Sequence, residues 1–227
     1  MKVRKTRIVL IHAVKVAVDP ISEAFAMGWP EAETVNLLDD SLSRDLERDG
    51  KITPSMISRM SDLLRYGIDI GARGILFTCS AFGDAIEAAR AKASIPVLKP
   101  NEAMFERAME MGNRVGLLAT FQPSIASMEE EFRRMAGAQG KSITLECLWV
   151  QEAMHALKTG DMQNHDRLIA RAARQLSSCN AIMLAQFSMA RACPVVSRAV
   201  ECPVLTSPDS AVSKMKHIIG ERSESLP

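Results

Sequence analysis

The sequence predicts an α/β protein made of two pseudo-symmetric domains, each a mainly parallel sheet flanked by helices. Three observations carry that prediction. Shifted by 107 residues, the chain lies over itself: Arg7-Ile8-Val9-Leu10-Ile11 falls on Arg114-Val115-Gly116-Leu117-Leu118, Ile75-Leu76-Phe77-Thr78 on Ile182-Met183-Leu184-Ala185, and Pro96-Val97-Leu98 on Pro203-Val204-Leu205. Strand-length apolar runs alternate with helix-length amphipathic stretches. The better apolar runs are continuous Val, Ile and Leu, as strands covered on both faces require.

In chain order, the first strand is Arg7 to Ala13 and the second Glu33 to Leu37. Ser22 is placed to open the helix between them. Ser55 to Tyr66 sets Met56, Met60, Leu63 and Leu64 on one stripe, with Thr53 as N-cap and Pro54 early in the helix. Gly74 to Thr78 is the third strand, followed by Cys79 and a helix over Asp84 to Ala93; Val97-Leu98 is the fourth. The second half repeats this, with strands at Val115 to Ala119, Ile143 to Val150, Ala181 to Ala185 and Val204-Leu205. Ser124 stands before its first helix, Gly140 and Gly160 mark turns, and Asp166 to Leu176 carries the stripe Leu168, Ile169, Ala172 and Leu176. The repeat divides the chain into domains 1–99 and 100–205. Residues 206–227 are free to close the second half or fold back on the first, and the polar tail Gly220 to Pro227 is expected to fray.

Composition narrows the function. The net charge is +1 with signs mixed along the chain, and one Tyr and two Trp offer no base-stacking cluster, so no nucleic-acid partner is expected. The run Ile8 to Ala17 is broken by His12 and Lys15 and is too short for a membrane span; a cytoplasmic location with no membrane partner is the default. Five cysteines at 79, 147, 179, 193 and 202 show neither zinc spacing nor a disulfide framework. Nucleotide-binding and serine-hydrolase motifs are absent, so no metal and no cofactor is expected. Whether the protein forms a homo-oligomer is open.

In parallel sheets, ligands bind beyond the carboxyl ends of strands. Under the repeat four such ends correspond: His12-Ala13, Cys79-Ser80, Ala119-Thr120 and Gln186-Phe187-Ser188, expected to converge on a cleft at the domain interface. Cys79 precedes a helix start, where a thiol pKa is expected to fall and its thiolate to serve as base or nucleophile. His12 reads either as a hydrogen-bonded strand-end histidine or as the partner of Cys79. Ser80, Thr120 and Ser188 offer hydroxyls for a carboxylate. Phe121 and Phe187 are placed for an apolar substrate group or for packing. His155 and His165 read as surface residues.

The segments "ILFTCSAFG" and "IMLAQFSMA" at matching places, with "VGLLAT" ending in Thr120 and "PVLTSPDSAV" near the end, make the chain resemble the aspartate/glutamate/hydantoin racemase superfamily over nearly its whole length. The resemblance implies cofactor-independent chemistry between two similar domains, with a cysteine on each side of the substrate's α-carbon. Carried across, Cys79 matches the first cysteine, Ser80 and Thr120 match carboxylate-binding positions, and His12 stands where some members have an acidic residue. Gln186 occupies the place of the second cysteine, and an amide is no base at neutral pH. Two-thiol inversion is therefore unavailable as written. The expectation is a racemase-like isomerase acting on a small carboxylate or amide carbon acid, with Cys79, His12 and Gln186 in the catalytic centre. The alternatives are a one-base decarboxylase, lyase or cis-trans isomerase, and a non-catalytic small-acid-binding protein.

Overall fold

The computed structural model describes residues 5–224. The chain forms two compact units, one reaching Pro100 and taking in the chain from Ala211 onward, the other Asn101–Ser210.

The first unit contains β1 (Arg7–His12), α1 (Val18–Gly28), β2 (Glu33–Leu38), α2 (Ser41–Asp49), α3 (Pro54–Asp69), β3 (Gly74–Phe77), α4 (Gly83–Arg90) and β4 (Val97–Leu98). Its strands are all parallel, in the order β2-β1-β3-β4. The second holds α5 (Glu102–Met111), β5 (Arg114–Ala119), α6 (Ile125–Ala138), β6 (Thr144–Trp149), α7 (Gln151–Lys158), α8 (Met162–Ala173), β7 (Ala181–Leu184), α9 (Cys193–Ser197) and β8 (Val204–Thr206), with parallel order β6-β5-β7-β8. A last helix, α10 (Ser207–Glu224), starts where the second unit ends.

The duplication is kept at the level of strand register. Ile8 pairs with Gly74 in the first unit, and Val115 with Ala181 in the second, each residue displaced by the same 107 positions. Continuous apolar runs fold this way because each strand must bury both faces. Val9, Ile11, Ile75 and Phe77 pack beneath Met56, Met60 and Leu64 of α3, and Phe82 and Ile86 complete that layer. In the second unit, Val115, Leu117 and Met183 lie under Phe105 and Phe132, whose rings meet edge to face at 5.4 Å. The other face sets Leu118, Ile182 and Leu184 against Ile169, Ala173 and Leu176. Burying each such large side chain contributes about 1.5–3 kcal/mol.

Local signals behave as the physics suggests, with four departures. Thr53 does cap α3, accepting from the Met56 N–H at 3.4 Å. Ser22, however, lies inside α1 and donates to the Val18 carbonyl four residues back (2.8 Å) rather than opening the helix. Ser124 precedes α6 without a capping bond and donates to the Phe121 carbonyl. Helix α2 was not legible because it is mostly polar and buries only Leu42 completely; the Asp39 carboxylate, accepting from the Ser41 N–H at 3.2 Å, seals its start. Gly220 to Glu224 continues α10 rather than fraying, and residues 225–227 lie outside the described residues. Gly160, with φ +81°, turns the chain between α7 and α8 as expected. A Cβ at Gly74 would meet the Met215 sulfur at 2.5 Å, which is how closely α10 approaches β3.

Candidate functional site

The carboxyl ends of β1 and β3 are neighbours, since Ile11 pairs with Phe77 and the Thr78 N–H donates to the Ile11 carbonyl at 3.0 Å. A polar chain threads this otherwise apolar sheet. His12 is fully buried, with Nδ1 2.8 Å from the Thr78 hydroxyl and Nε2 2.8 Å from the Asn36 Oδ1. Burial pushes the imidazole pKa below its ordinary range, against the hydrogen bond that the ring donates to the Asn36 oxygen, which raises it. The neutral ring then donates from Nε2 to the Asn36 oxygen and accepts from Thr78 at Nδ1. The expectation that His12 partners Cys79 is therefore corrected: both its nitrogens are taken, by Thr78 and Asn36.

Cys79 follows directly in extended backbone, half-buried, at the entrance to a 3-10 turn over Ser80–Phe82. It packs on the cluster that holds Ile11, Phe77 and Phe82. Burial pushes its thiol up to about 11, and the Ala81 N–H bonding to sulfur offsets only part of this. The depressed thiol anticipated at a helix start is not found, because one turn of 3-10 helix supplies a single N–H while the apolar surroundings disfavour the anion. Burial likewise pushes Cys147 up to about 12 and Cys179 up to about 11.

The second unit spends its polarity differently. The Gln186 Oε1 accepts from the Thr120 N–H at 2.9 Å and lies 3.3 Å from the Thr120 hydroxyl; its Nε2 donates to Ser124 Oγ at 3.2 Å. One amide hydrogen of Gln186 has no partner among the described residues. Thr120, expected to hold a carboxylate, is buried and turned to Gln186, and the Trp149 indole N–H donates to its carbonyl at 3.4 Å. Phe187 is buried, which makes it a packing residue in this state; Phe121 is 47% exposed, and Ser80 and Ser188 are half-buried. The second sheet has no counterpart of the His12 chain. Ala119 replaces His12, Ala185 replaces Thr78, and Cys147 occupies the register position of Asn36, opposite Leu117 as Asn36 is opposite Leu10.

Several polar groups escaped the sequence reading. Asn36 interrupts the apolar end of β2, and Thr78 follows directly on the apolar run of β3, a pattern that could have flagged them. Lys99, 3% exposed just past β4, lies 3.5 Å from Glu87. At the end of β2, Arg59 bridges Asp39 and Asp45, both at 2.6 Å. His165 is not a surface residue: it is fully buried, its Nδ1 is 2.8 Å from Asp166, and Arg191 pairs with the same carboxylate at 3.0 Å. His155 is exposed as expected. Among the described residues no group of three or more His, Cys, Asp or Glu is placed to hold a metal ion, and no helix is long and apolar enough to cross a membrane.

Parallel strand order, an internal repeat that keeps the register of three of the four strands, and strand ends carrying a thiol in one unit and a carboxamide in the other define a duplicated α/β class. Residues 23–215 match the family model described as Asp/Glu/Hydantoin racemase, and the chain belongs to that family. Among solved structures it is similar to the aspartate racemase of Picrophilus torridus (16% identity, TM-score 0.69, covering 95% of this chain and 94% of that one). It is also similar to the allantoin racemase of Klebsiella pneumoniae (19%, 0.69, 96% and 89%) and to unliganded arylmalonate decarboxylase (18%, 0.65, 95% and 93%). At these identities the likeness establishes the fold. No curated protein sequence matches the chain.

Proposed function

We propose that this protein is a cofactor-independent isomerase of a small carboxylate or amide carbon acid, in which Cys79 alone carries the proton. The observation behind this reading is the asymmetry of equivalent positions: a thiol beyond β3 and a carboxamide, already engaged by Thr120 and Ser124, beyond β7. A thiol that burial holds near 11 is scarcely ionised at neutral pH, about one part in 10^4, but its thiolate is correspondingly basic toward a C–H bond. Cys79, as thiolate, takes the proton from the carbon beside the carbonyl, leaving an enolate; return to a conjugated position completes the isomerisation, while return to the same face regenerates the substrate and is read as exchange. Ser80, next to the thiol in the same unit, contributes a hydroxyl to the substrate. Gln186 acts only as a hydrogen-bond donor through its remaining amide hydrogen. His12 and Asn36 act at one remove, by fixing Thr78, the residue next to the thiol. Soluble assay with deuterated solvent and a panel of small acids tests this: exchange at the α-carbon should be lost in Cys79→Ala, and unchanged exchange in that variant contradicts the assignment.

One observation favours a second reading, decarboxylation followed by protonation. The resting thiol is neutral and so is a ready proton donor, and loss of carbon dioxide from a malonate-type acid leaves a carbanion that needs only one proton. Carbon dioxide release from such acids, abolished by Cys79→Ala, supports it; no release across the panel removes it.

A further inference from the structure

Away from the strand ends, the second unit carries a cavity of about 450 Å³ between α8 and the end of α9. Its walls hold four arginines. Arg167, Arg171 and Arg174 recur at helical spacing on the outer face of α8 and the 3-10 turn that extends it, while Ile169, Ala172 and Ala173 face the core. Arg198 comes from the residue after α9, a separate element. No carboxylate lines the cavity, and Leu168 and Val195 supply an apolar flank.

Most of the arginines here lack the carboxylate that holds many arginines elsewhere, as do the scattered Arg73, Arg107 and Arg134; what sets them apart is that they share one concavity. Arg59 is held by Asp39 and Asp45, Arg114 by Glu146, and Arg191 by Asp166. Arg167 donates to the neutral Asn164 side chain at 2.8 Å. Arg171, Arg174 and Arg198 have no acidic partner among the described residues. A solvated helix face explains a row of arginines along α8, and the helix dipole favours cations near its carboxyl end. Neither explains why a fourth guanidinium from another element converges on the same concavity. All four are exposed, so water screens their mutual repulsion in part, and an anion among them would relieve the rest.

We infer that this cavity binds a small organic anion carrying at least two negative charges, phosphate or polycarboxylate, at a site separate from Cys79. Guanidinium forks bind both groups through paired N–H donors, and the volume suits a metabolite-sized ligand. An extended nucleic acid does not fit: no aromatic residue lines the cavity for base stacking.

Calorimetric titration of the full chain at low ionic strength tests this with three probes: inorganic pyrophosphate, citrate and acetate. One saturable site is expected for pyrophosphate or citrate, whichever chemistry the site prefers, and none for acetate. Arg171→Gln and Arg198→Gln should each weaken binding about 10-fold, the size of losing one charge-assisted contact. Arg133→Gln, at an exposed position of α6, should leave it unchanged. Circular dichroism establishes that each variant is folded, and Arg174→Gln replaces either one that is not. Absence of saturable binding by both multivalent anions, or equal weakening in Arg133→Gln, overturns the inference. Cys79→Ala should bind the anion as the parent does, so failure of this site and failure of the Cys79 reading are separately visible.

Discussion

The ends of β3 and β7 descend from one sequence pattern, share one strand register, and have exchanged the places where they keep their polar groups. In the first unit polarity runs across the sheet, from the exposed Asn36 on the edge strand through the buried His12 to Thr78, and the thiol beyond it lies against apolar packing. In the second the sheet interior is Ala119 and Ala185, and polarity gathers beyond it, in Gln186, Thr120 and Ser124. The chemical consequence follows from desolvation. A thiol with one N–H donor and apolar neighbours becomes a weak acid; a carboxamide with matched partners becomes a fixed strut. Duplication supplies two similar frames, and in the proposed reading the side chains at a few register positions decide which frame moves a proton.

The sharpest way to break this comparison is at the thiol. Cys79→Ala should lower turnover of an accepted acid by about 10²–10⁴-fold, the usual contribution of a positioned proton-transfer group, while urea unfolding stays near that of the parent. Next in size is Gln186→Cys, which makes the two ends alike. It strips the Thr120 N–H of its acceptor and Ser124 of its donor, so about 1–3 kcal/mol of stability should be lost in urea melts.

Thr78→Val tests the polar chain inside the first sheet. Leaving the buried His12 Nδ1 unsatisfied should cost about 1–3 kcal/mol, whereas Ala185→Thr, the matching change in the second unit, should also destabilise because no partner awaits the hydroxyl. The smallest effect is on pH dependence. The folded pKa of His12 lies below its ordinary 6.5, so the unfolded chain binds the proton more readily; its contribution is present above 6.5 and is lost as pH falls through the folded value. For Cys79 the folded value, about 11, lies above the ordinary 9.0, so stability is retained below 9.0 and declines between 9.0 and about 11. Urea melts across both windows, with His12→Asn flattening the acid limb and Cys79→Ser the alkaline one, check the signs.

Much of this arrangement was legible beforehand. Period and continuity of Val, Ile and Leu located the strands, because a parallel sheet buried on both faces admits little else, and the 107-residue offset carried the register across the halves. Thr53-Pro54 announced α3 by its capping chemistry. What escaped depended on three-dimensional neighbours. His165 sits among polar residues in sequence, yet α8 turns it inward, onto the Asp166 carboxylate that Arg191 also pairs with. The Cys79 environment was misjudged because closeness to a helix start is a local property, while desolvation is set by residues far along the chain, from β1 to the turn at Phe82. His12 shows the same limit: one position in sequence could not reveal that its two nitrogens reach strands on either side.

The most direct test of a single proton-carrying thiol is the stereochemistry of labelling. With an accepted substrate in deuterium oxide, deuterium should enter one face of the α-carbon, and Cys79→Ala should abolish the labelling. Labelling of both faces at equal rates by the parent, or one-face labelling that survives Cys79→Ala, would contradict the account.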